Sequence, residues 1–328
     1  MTHAPDAVIF TLDDIQRSAR DIFDANPDAV VKYRLLREVF RAPRNDPKLE
    51  QAKNAGVSSK WIRLLEEAQL PDGSWGRFHS QDTKKKTAFR TTEEAIERAF
   101  ALGLEPSDEV LLHARQYILQ VLHGDAQITD RYEQNEAWPL LVQFILAGRL
   151  AQLDPANKML DSFWSYWAEV ANQAFSSGSY LLEDEASAHL RLSGKHLPQG
   201  FLESQHALWI LSSRRLASQL EYALIDWIWN KPDGIRYLRA PLSIPQPRLI
   251  GYWLRSMNII SQFSCWREVC VHVMNQLWDQ RDDHGMWDFG SQIAQSIDFP
   301  LSESWRQREN RKIDYSTCML ILMRRFFD

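Results

Sequence analysis

The sequence predicts an all-α protein built from stacked pairs of helices, and three observations carry that prediction. Turns that contain Asp72, Asp233 and Asp283 recur along the chain, and weaker turns at 123–125 and 176–179 fill the intervals. Successive turns are then roughly 50 to 55 residues apart, a period typical of repeat architectures. The segments between the turns have helical spacing of apolar residues and no convincing strand pattern. One pair of helices cannot bury its apolar face alone, so about five or six pairs are expected to stack.

The beginning of the chain is expected to form an added pair of helices. Thr11 and Asp14 have the spacing of a capping box, and Pro27 stands where a second helix would begin. A loop with two prolines ends that second helix. The sequence therefore divides into residues 1–56, a helical extension that closes an edge, and residues 57–328, the repeated pairs.

The clearest turn lies at residues 69–75, QLPDGSW, at the end of a predicted helix. Pro71 and Gly73 end that helix, because proline cannot continue the hydrogen-bond ladder and glycine accepts the left-handed backbone of a turn. The Gln69 amide is expected to bond to backbone groups at the helix end. The ring of Trp75 is expected to cover that contact.

Two later segments repeat the turn, one closely and one in degenerate form. Residues 280–287, QRDDHGMW, keep the order of glutamine, polar turn, glycine, any residue and tryptophan, whereas residues 229–235, WNKPDGI, lose the tryptophan. Further helices are predicted from apolar spacing and from the prolines and glycines between them, at 92–102, 106–122, 133–152, 155–175, 183–192, 198–212, 214–230, 248–263, 265–280 and 302–327. Residues 241–247, with three prolines, form an extended connector after which the repeat resumes.

Charge and composition exclude several functional classes. The net charge of -5 and the pI near 6.0 give no electrostatic footprint for nucleic acid. No apolar run is long enough to span a bilayer and the first ten residues lack a signal peptide pattern, so a cytoplasmic location is predicted, with peripheral membrane contact left open. The three cysteines have no metal-ligand spacing, so no metal and no cofactor are predicted. The sequence does not indicate the oligomeric state.

The repeated element at 69–75 and 280–287 resembles the QW motif of terpenoid cyclases such as squalene-hopene cyclase. The surrounding helical pairs resemble the α/α toroid that these cyclases share with protein prenyltransferase β subunits. The resemblance covers most of residues 57–328. It implies a single α/α toroid, whose inner and outer helices enclose a central apolar cavity. It also implies an isoprenoid, a polyene or a prenyl diphosphate as the ligand, with proton-initiated cyclisation as the candidate reaction.

The candidate catalytic segment is the acidic stretch at the start of the helix predicted over 183–192. Cyclases of that family carry a DxDD motif whose middle aspartate stays neutral and protonates an alkene. The resemblance assigns this role to Asp184, with leucine in place of the first acid, and Glu183 or Glu185 shaping its hydrogen bonds. Tyr180 and Trp209 would stabilise cationic intermediates. The alternative is an acidic helix start that interacts only with the helix dipole.

The loop 77–90 carries Lys84, Lys85, Lys86 and Arg90. One interpretation is an anion-binding loop at the mouth of the cavity, which would receive a diphosphate. The alternative is a solvated loop. The acids at 93 and 94 are explained as part of a capping box that opens the next helix.

Other uses of the toroid are weaker predictions. Protein prenyltransferases bind zinc through aspartate, cysteine and histidine, but Ser316 stands where that family has the histidine, and no matching Asp-x-Cys pair precedes it. Carbohydrate-active (α/α) barrels line a cleft with tryptophan and paired carboxylates, and no such acid and base pair is identified. The main alternative to an enzyme is a non-catalytic toroid that binds a ligand or a protein, because the first acid of the motif is missing.

Overall fold

The computed structural model describes residues 7–81, 86–131, 136–197, 200–294 and 297–328. Within these ranges the fold is all-α, as predicted, with fourteen α-helices and no strand. The helices are α1 Leu12–Asp24, α2 Ala29–Arg34, α3 Pro47–Val57, α4 Lys60–Ala68, α5 Thr92–Ala101, α6 Glu109–His123, α7 Trp138–Leu153, α8 Leu160–Ala174, α9 Leu182–Ser193, α10 Gln205–Ser212, α11 Ser218–Trp229, α12 Ile250–Ile260, α13 Trp266–Asp279 and α14 Arg308–Arg324. A π-helical segment, Leu35–Val39, continues α2. Among the described residues, no helix has both the length and the apolar composition that crossing a bilayer requires.

Local signals explain where the helices begin. The predicted capping box of α1 is confirmed, since Thr11 and Asp14 exchange both hydrogen bonds. Helix α3 was not predicted, although Asp46 accepts hydrogen bonds from two backbone N–H groups of its first turn and a proline occupies its first position. Helix α8 begins later than predicted, because the Asp154 carbonyl accepts from Asn157 N–H in a turn that precedes it.

The helix contacts form a continuous row. Helix α7 packs on α10, α10 on α12, α12 on α14, and α14 on α2 and the π-helical segment. Helix α5 faces this row and pairs through Glu93 and Glu97 with Arg149 of α7. On the other side, α1 packs on α14, α6 on α7, α9 on α8, and α11 on α8 and α13. The closed toroid stays a prediction, and the residues before 57 contact the last helix of the chain.

The first tryptophan turn has the contacts expected of it. Gln69 Nε2 donates to the carbonyl of Gly73 at 3.0 Å and to that of Val110, at the start of α6, at 2.9 Å. The buried Trp75 donates from Nε1 to the carbonyl of Leu65 at 2.9 Å. The turn therefore ties the end of α4 to the start of α6.

The second tryptophan turn has the same backbone but a different residue at the glutamine position. Trp287 Nε1 donates to the carbonyl of Leu277 at 2.7 Å, again ten residues earlier in the chain. Its backbone N–H donates to Ser316 Oγ at 3.0 Å, as that of Trp75 does to a threonine of α5 at 2.9 Å. Counted back from the tryptophan, Arg281 takes the position of Gln69. The two turns therefore share their backbone and their tryptophan. Gln280 does not correspond to Gln69, because it lies seven residues before its tryptophan and Gln69 lies six.

Candidate functional site

A cavity of about 310 Å³ lies between α2 with its π-helical segment, α5, α7, α10, α12 and α14, and we call it the arginine cavity. Its charged lining residues are Arg34, Arg37, Glu38, Glu97, Arg255, Asp298 and Arg325. Its apolar wall consists of Phe100, Ala101, Leu104, Trp209, Leu254 and Ile321. This mixed lining differs from the wholly apolar cavity that the family resemblance implied, because charged side chains from four of these segments reach it.

One side of the arginine cavity is held by ion pairs within the π-helical segment and α2. Glu38 Oε1 accepts from Arg34 Nε and from Arg37 Nη2, both at 2.9 Å. Burial raises the pKa of Glu38, but these two arginines more than offset it and lower the pKa to about 2. Glu38 is therefore ionised at neutral pH, and it fixes both guanidinium groups.

A chain of alternating charges begins on α5 and connects it to α7 and α12. Glu93 and Glu97 lie one helical turn apart, and both pair with Arg149 of α7, whose Nε is 2.9 Å from Glu93 Oε1. Arg255 of α12 then bridges Glu97 Oε2 at 2.9 Å and Asp298 Oδ2 at 3.0 Å. With its amide oriented to satisfy both neighbours, the Gln205 side chain bonds to Glu97 and Arg149 as well. These ion pairs and hydrogen bonds offset the desolvation cost of burying the charged side chains.

A second cavity of about 250 Å³ lies on the other side of this charge chain, and we call it the histidine cavity. It shares Glu97 and Arg255 with the arginine cavity and is otherwise lined by His79, Gln81, Arg90, Thr91, Glu93, Glu94, Arg149, Gln205, Tyr252 and Ile297. His79 Nδ1 lies 2.5 Å from Glu93 Oε2. Burial lowers the pKa of His79, but Glu93 more than offsets it and the net pKa is raised. The two cavities therefore share part of the same buried charge chain.

The loop before α5 is shaped so that His79 faces Glu93. The Asp130 carboxylate accepts from the backbone N–H groups of Phe78 at 2.6 Å, His79 at 2.8 Å and Ser80 at 2.5 Å. Three charge-assisted hydrogen bonds to consecutive amides fix the backbone of this loop. These hydrogen bonds therefore hold the backbone that carries the His79 imidazole.

The acids at the start of α5 do more than cap the helix. Thr91 Oγ1 accepts from Glu94 N–H at 3.1 Å, as the predicted capping box requires. The Glu94 carboxylate, however, accepts from the backbone N–H of Arg90 at 3.0 Å instead of closing the box at Thr91. Glu93 points into the buried charge chain. The explanation of both acids as capping residues was therefore wrong for Glu93.

The predicted catalytic acids of α9 have three different environments. Glu183 is exposed, Asp184 is half-buried, and Glu185 is buried. The Glu185 carboxylate accepts from Tyr180 Oη at 2.5 Å and from Leu202 N–H at 2.9 Å. None of the three acids is among the described residues that line the arginine or histidine cavity. The role of Asp184 as proton donor stays a prediction, and its position outside both cavities gives it no support.

The predicted ligand-binding residues also have separate environments. Trp209 lines the arginine cavity, whereas the ring of Tyr180 stacks on that of Trp227, with centroids 3.9 Å apart. Arg90 lines the histidine cavity, where its Nε pairs with Glu94 at 3.0 Å. Lys86 is exposed and lines neither cavity. Lys84 and Lys85 lie outside the described residues.

Most residues that line the two cavities were not singled out by the sequence. Arg149, Arg255 and Arg325 belong to different helices or helix ends and to no shared motif. One signal was available, because Arg149 is the single charged residue of α7, an otherwise strongly apolar helix. A lone charge in a buried helix indicates a buried partner.

The chain matches no protein-family model, and comparison with curated proteins and with solved structures finds no significant similarity.

Proposed function

We propose that the protein binds a small amphiphilic anion in the arginine cavity, and that this cavity lies at the centre of an α/α toroid. The observation that carries the proposal is the lining, in which four arginines outnumber three carboxylates and apolar side chains complete the cavity. A ligand with an anionic head and an apolar tail complements both parts. A prenyl diphosphate is the member of this class that the family resemblance implies.

Arg325 is the cation best placed to hold the anionic head. Its Nη1 donates to Asn258 Oδ1 at 2.9 Å and to Ser261 Oγ at 2.8 Å. Among the described residues it makes no ion pair with a carboxylate, whereas Arg34, Arg37 and Arg255 do. A guanidinium held by neutral groups keeps its charge available for phosphate or carboxylate oxygens.

The apolar wall suits a short hydrocarbon tail. It combines the Trp209 ring with aliphatic and aromatic side chains from α5, α12 and α14. The cavity volume of about 310 Å³ is at the lower end of the range for small-molecule sites, which favours a compact ligand. The proposal covers binding alone, because none of the acids at 183–185 lines this cavity.

Titration calorimetry with three probes tests this function. Geranyl diphosphate should bind at least about tenfold more tightly than either inorganic pyrophosphate or geraniol, since only it uses both walls. Arg325→Gln should weaken binding of geranyl diphosphate by about tenfold or more and reduce its salt dependence. Arg308→Gln is the matched control, because Arg308 is exposed and pairs with Asp288 on the surface. Equal affinities for geraniol and geranyl diphosphate, or equal effects of the two substitutions, would contradict the proposal.

A further inference from the structure

Three side chains beside the histidine cavity have the composition of a metal site. His79, Glu93 and His206 each offer one ligand atom, and these atoms all lie within 4.8 Å of one another. They come from the loop before α5, from the first turn of α5 and from the second residue of α10. Two imidazoles and one carboxylate form a ligand set known from catalytic zinc sites, in which a fourth position stays open.

His206 is the residue whose environment most needs an explanation. Its side chain is 1% exposed, and neither Nδ1 nor Nε2 has a hydrogen-bond partner. Its Nδ1 lies 3.6 Å from Glu93 Oε1, too far for a hydrogen bond. Buried polar atoms are nearly always satisfied, because an unmade hydrogen bond costs about 1 to 3 kcal/mol. A metal ion would use one nitrogen of this ring.

The packing of α7 against α10 brings His206 to the other two ligands. A Cβ atom added at Gly148 would lie 2.8 Å from His206 Cα, so only glycine permits this approach. Arg149 occupies Glu93 Oε1, which leaves Oε2 on the side of His79.

We propose that His79, Glu93 and His206 bind one divalent transition-metal ion, with Zn²⁺ as the best match to the ligand set. Ligand atoms around tetrahedral zinc are about 3.3 Å apart, so small side-chain rotations bring the three groups into place. The ion replaces the hydrogen bond between His79 and Glu93. A doubly protonated His79 ring then releases one proton to solvent, whereas a neutral ring loses the proton on Nδ1 and takes one up on Nε2. Asp130 and Arg149 act as positioning residues, because they hold the loop of His79 and one oxygen of Glu93.

The fourth position of this site would face the histidine cavity, which His79 and Glu93 both line. Arg90 stands in the same cavity and could receive an anionic group of a molecule that approaches the metal. The metal site is independent of the ligand proposed for the arginine cavity. Failure of one proposal leaves the other intact.

Metal binding is measured directly, without an activity assay. The purified chain is stripped of metal, titrated with Zn²⁺ against a competing chelator, and then loaded with Co²⁺ for its visible spectrum. The wild type should bind one equivalent of zinc, and the cobalt form should show the intense bands of four- or five-coordinate nitrogen and oxygen ligation. His79→Gln should lower zinc affinity by at least about tenfold. His79 is partly exposed on a loop, so this variant is expected to fold.

His189→Gln is the matched control, since His189 is also buried but bonds to Tyr166 and Glu185 outside the cluster. Its zinc affinity should equal that of the wild type. His206→Gln, checked for folding by circular dichroism, should behave as His79→Gln does. A wild type that binds no zinc, or the six-coordinate spectrum of loosely held cobalt, would overturn the proposal. Equal zinc affinity in wild type and His79→Gln would overturn it as well.

Discussion

The starts of α5 and α9 are alike in sequence and unlike in structure. Both open with consecutive acids, TTEE at 91–94 and LEDE at 182–185. In α9 the one buried acid, Glu185, is satisfied by nearby groups, Tyr180 and Leu202. In α5 the buried acid of that stretch, Glu93, pairs with Arg149 of α7, and Glu97, one turn further along the helix, pairs with Arg149 and with Arg255 of α12. Two helix starts with similar acids therefore differ in their partners. Glu185 bonds to groups within 17 residues of it in the chain, whereas Glu93 pairs with an arginine 56 residues away.

The difference follows from where each helix packs. Helix α9 lies against α8, which is adjacent in the chain. Helix α5 lines both cavities together with α7, α10 and α12, so its acids meet charges carried by several helices. Three substitutions test this contrast, and a fourth, Glu38→Gln, tests the ion pairs beside the arginine cavity.

Glu97→Ala should have the largest effect. The change leaves Arg149 and Arg255 without the carboxylate that lies between them, and an unpaired buried charge costs about 3 to 5 kcal/mol. Urea unfolding should show this loss, while Glu183→Ala, at an exposed position of α9, changes stability by less than about 0.5 kcal/mol. Equal urea midpoints for the two variants would contradict the expected difference between the carboxylates of α5 and those of α9.

Glu38→Gln should show a pH-dependent loss of stability. The folded pKa of about 2 lies below the ordinary value of 4.5, so ionised Glu38 stabilises the fold above pH 4.5, and that stability is lost as the pH falls toward 2. The variant should be about 2 to 3 kcal/mol less stable than wild type at neutral pH. Denaturant midpoints should converge as the pH approaches about 2. A constant difference across this range would mean that Arg34 and Arg37 do not control the ionisation of Glu38.

Glu185→Gln should cost about 1 to 2 kcal/mol, because the amide keeps one acceptor for Leu202 N–H and weakens the bond from Tyr180. Thermal unfolding measures this loss. Affinity for geranyl diphosphate should stay within about twofold of wild type. A large loss of geranyl diphosphate binding with unchanged stability would indicate that the ligand binds at α9.

Asp184→Asn should have the smallest effect. The side chain is half-buried and lines neither cavity, so stability should change by less than about 0.5 kcal/mol. Product analysis with polyene and prenyl diphosphate substrates is the matching functional assay. Turnover by the wild type that this substitution abolishes would restore the proton-donor hypothesis.

The sequence predicted the elements that depend on local chemistry. The capping box of α1 and both tryptophan turns follow from residues close in the chain, and they are present. Gly73 has φ of +89°, and an added Cβ would lie 2.3 Å from the carbonyl oxygen of His113, so the glycine signal was well founded. The register of Gln280 was mistaken because the repeat was matched by residue type, whereas the backbone aligns Arg281 with the first glutamine.

The candidate site could not be predicted in the same way. Its charges lie far apart in the chain, and only the packing of several helices brings them together. The cluster of His79, Glu93 and His206 has no motif spacing, and it depends on a glycine in a third helix, Gly148. The functional prediction was made for α9 because three acids are adjacent in its sequence. The acids at 93 and 94, which line the histidine cavity, were interpreted as part of a helix cap.

A crystal structure of the protein grown with geranyl diphosphate tests whether the arginine cavity binds an amphiphilic anion. We expect density for the diphosphate beside Arg325 and for the hydrocarbon tail against Trp209, within the arginine cavity. Density for the ligand beside Asp184 on α9, with the arginine cavity empty, would contradict it.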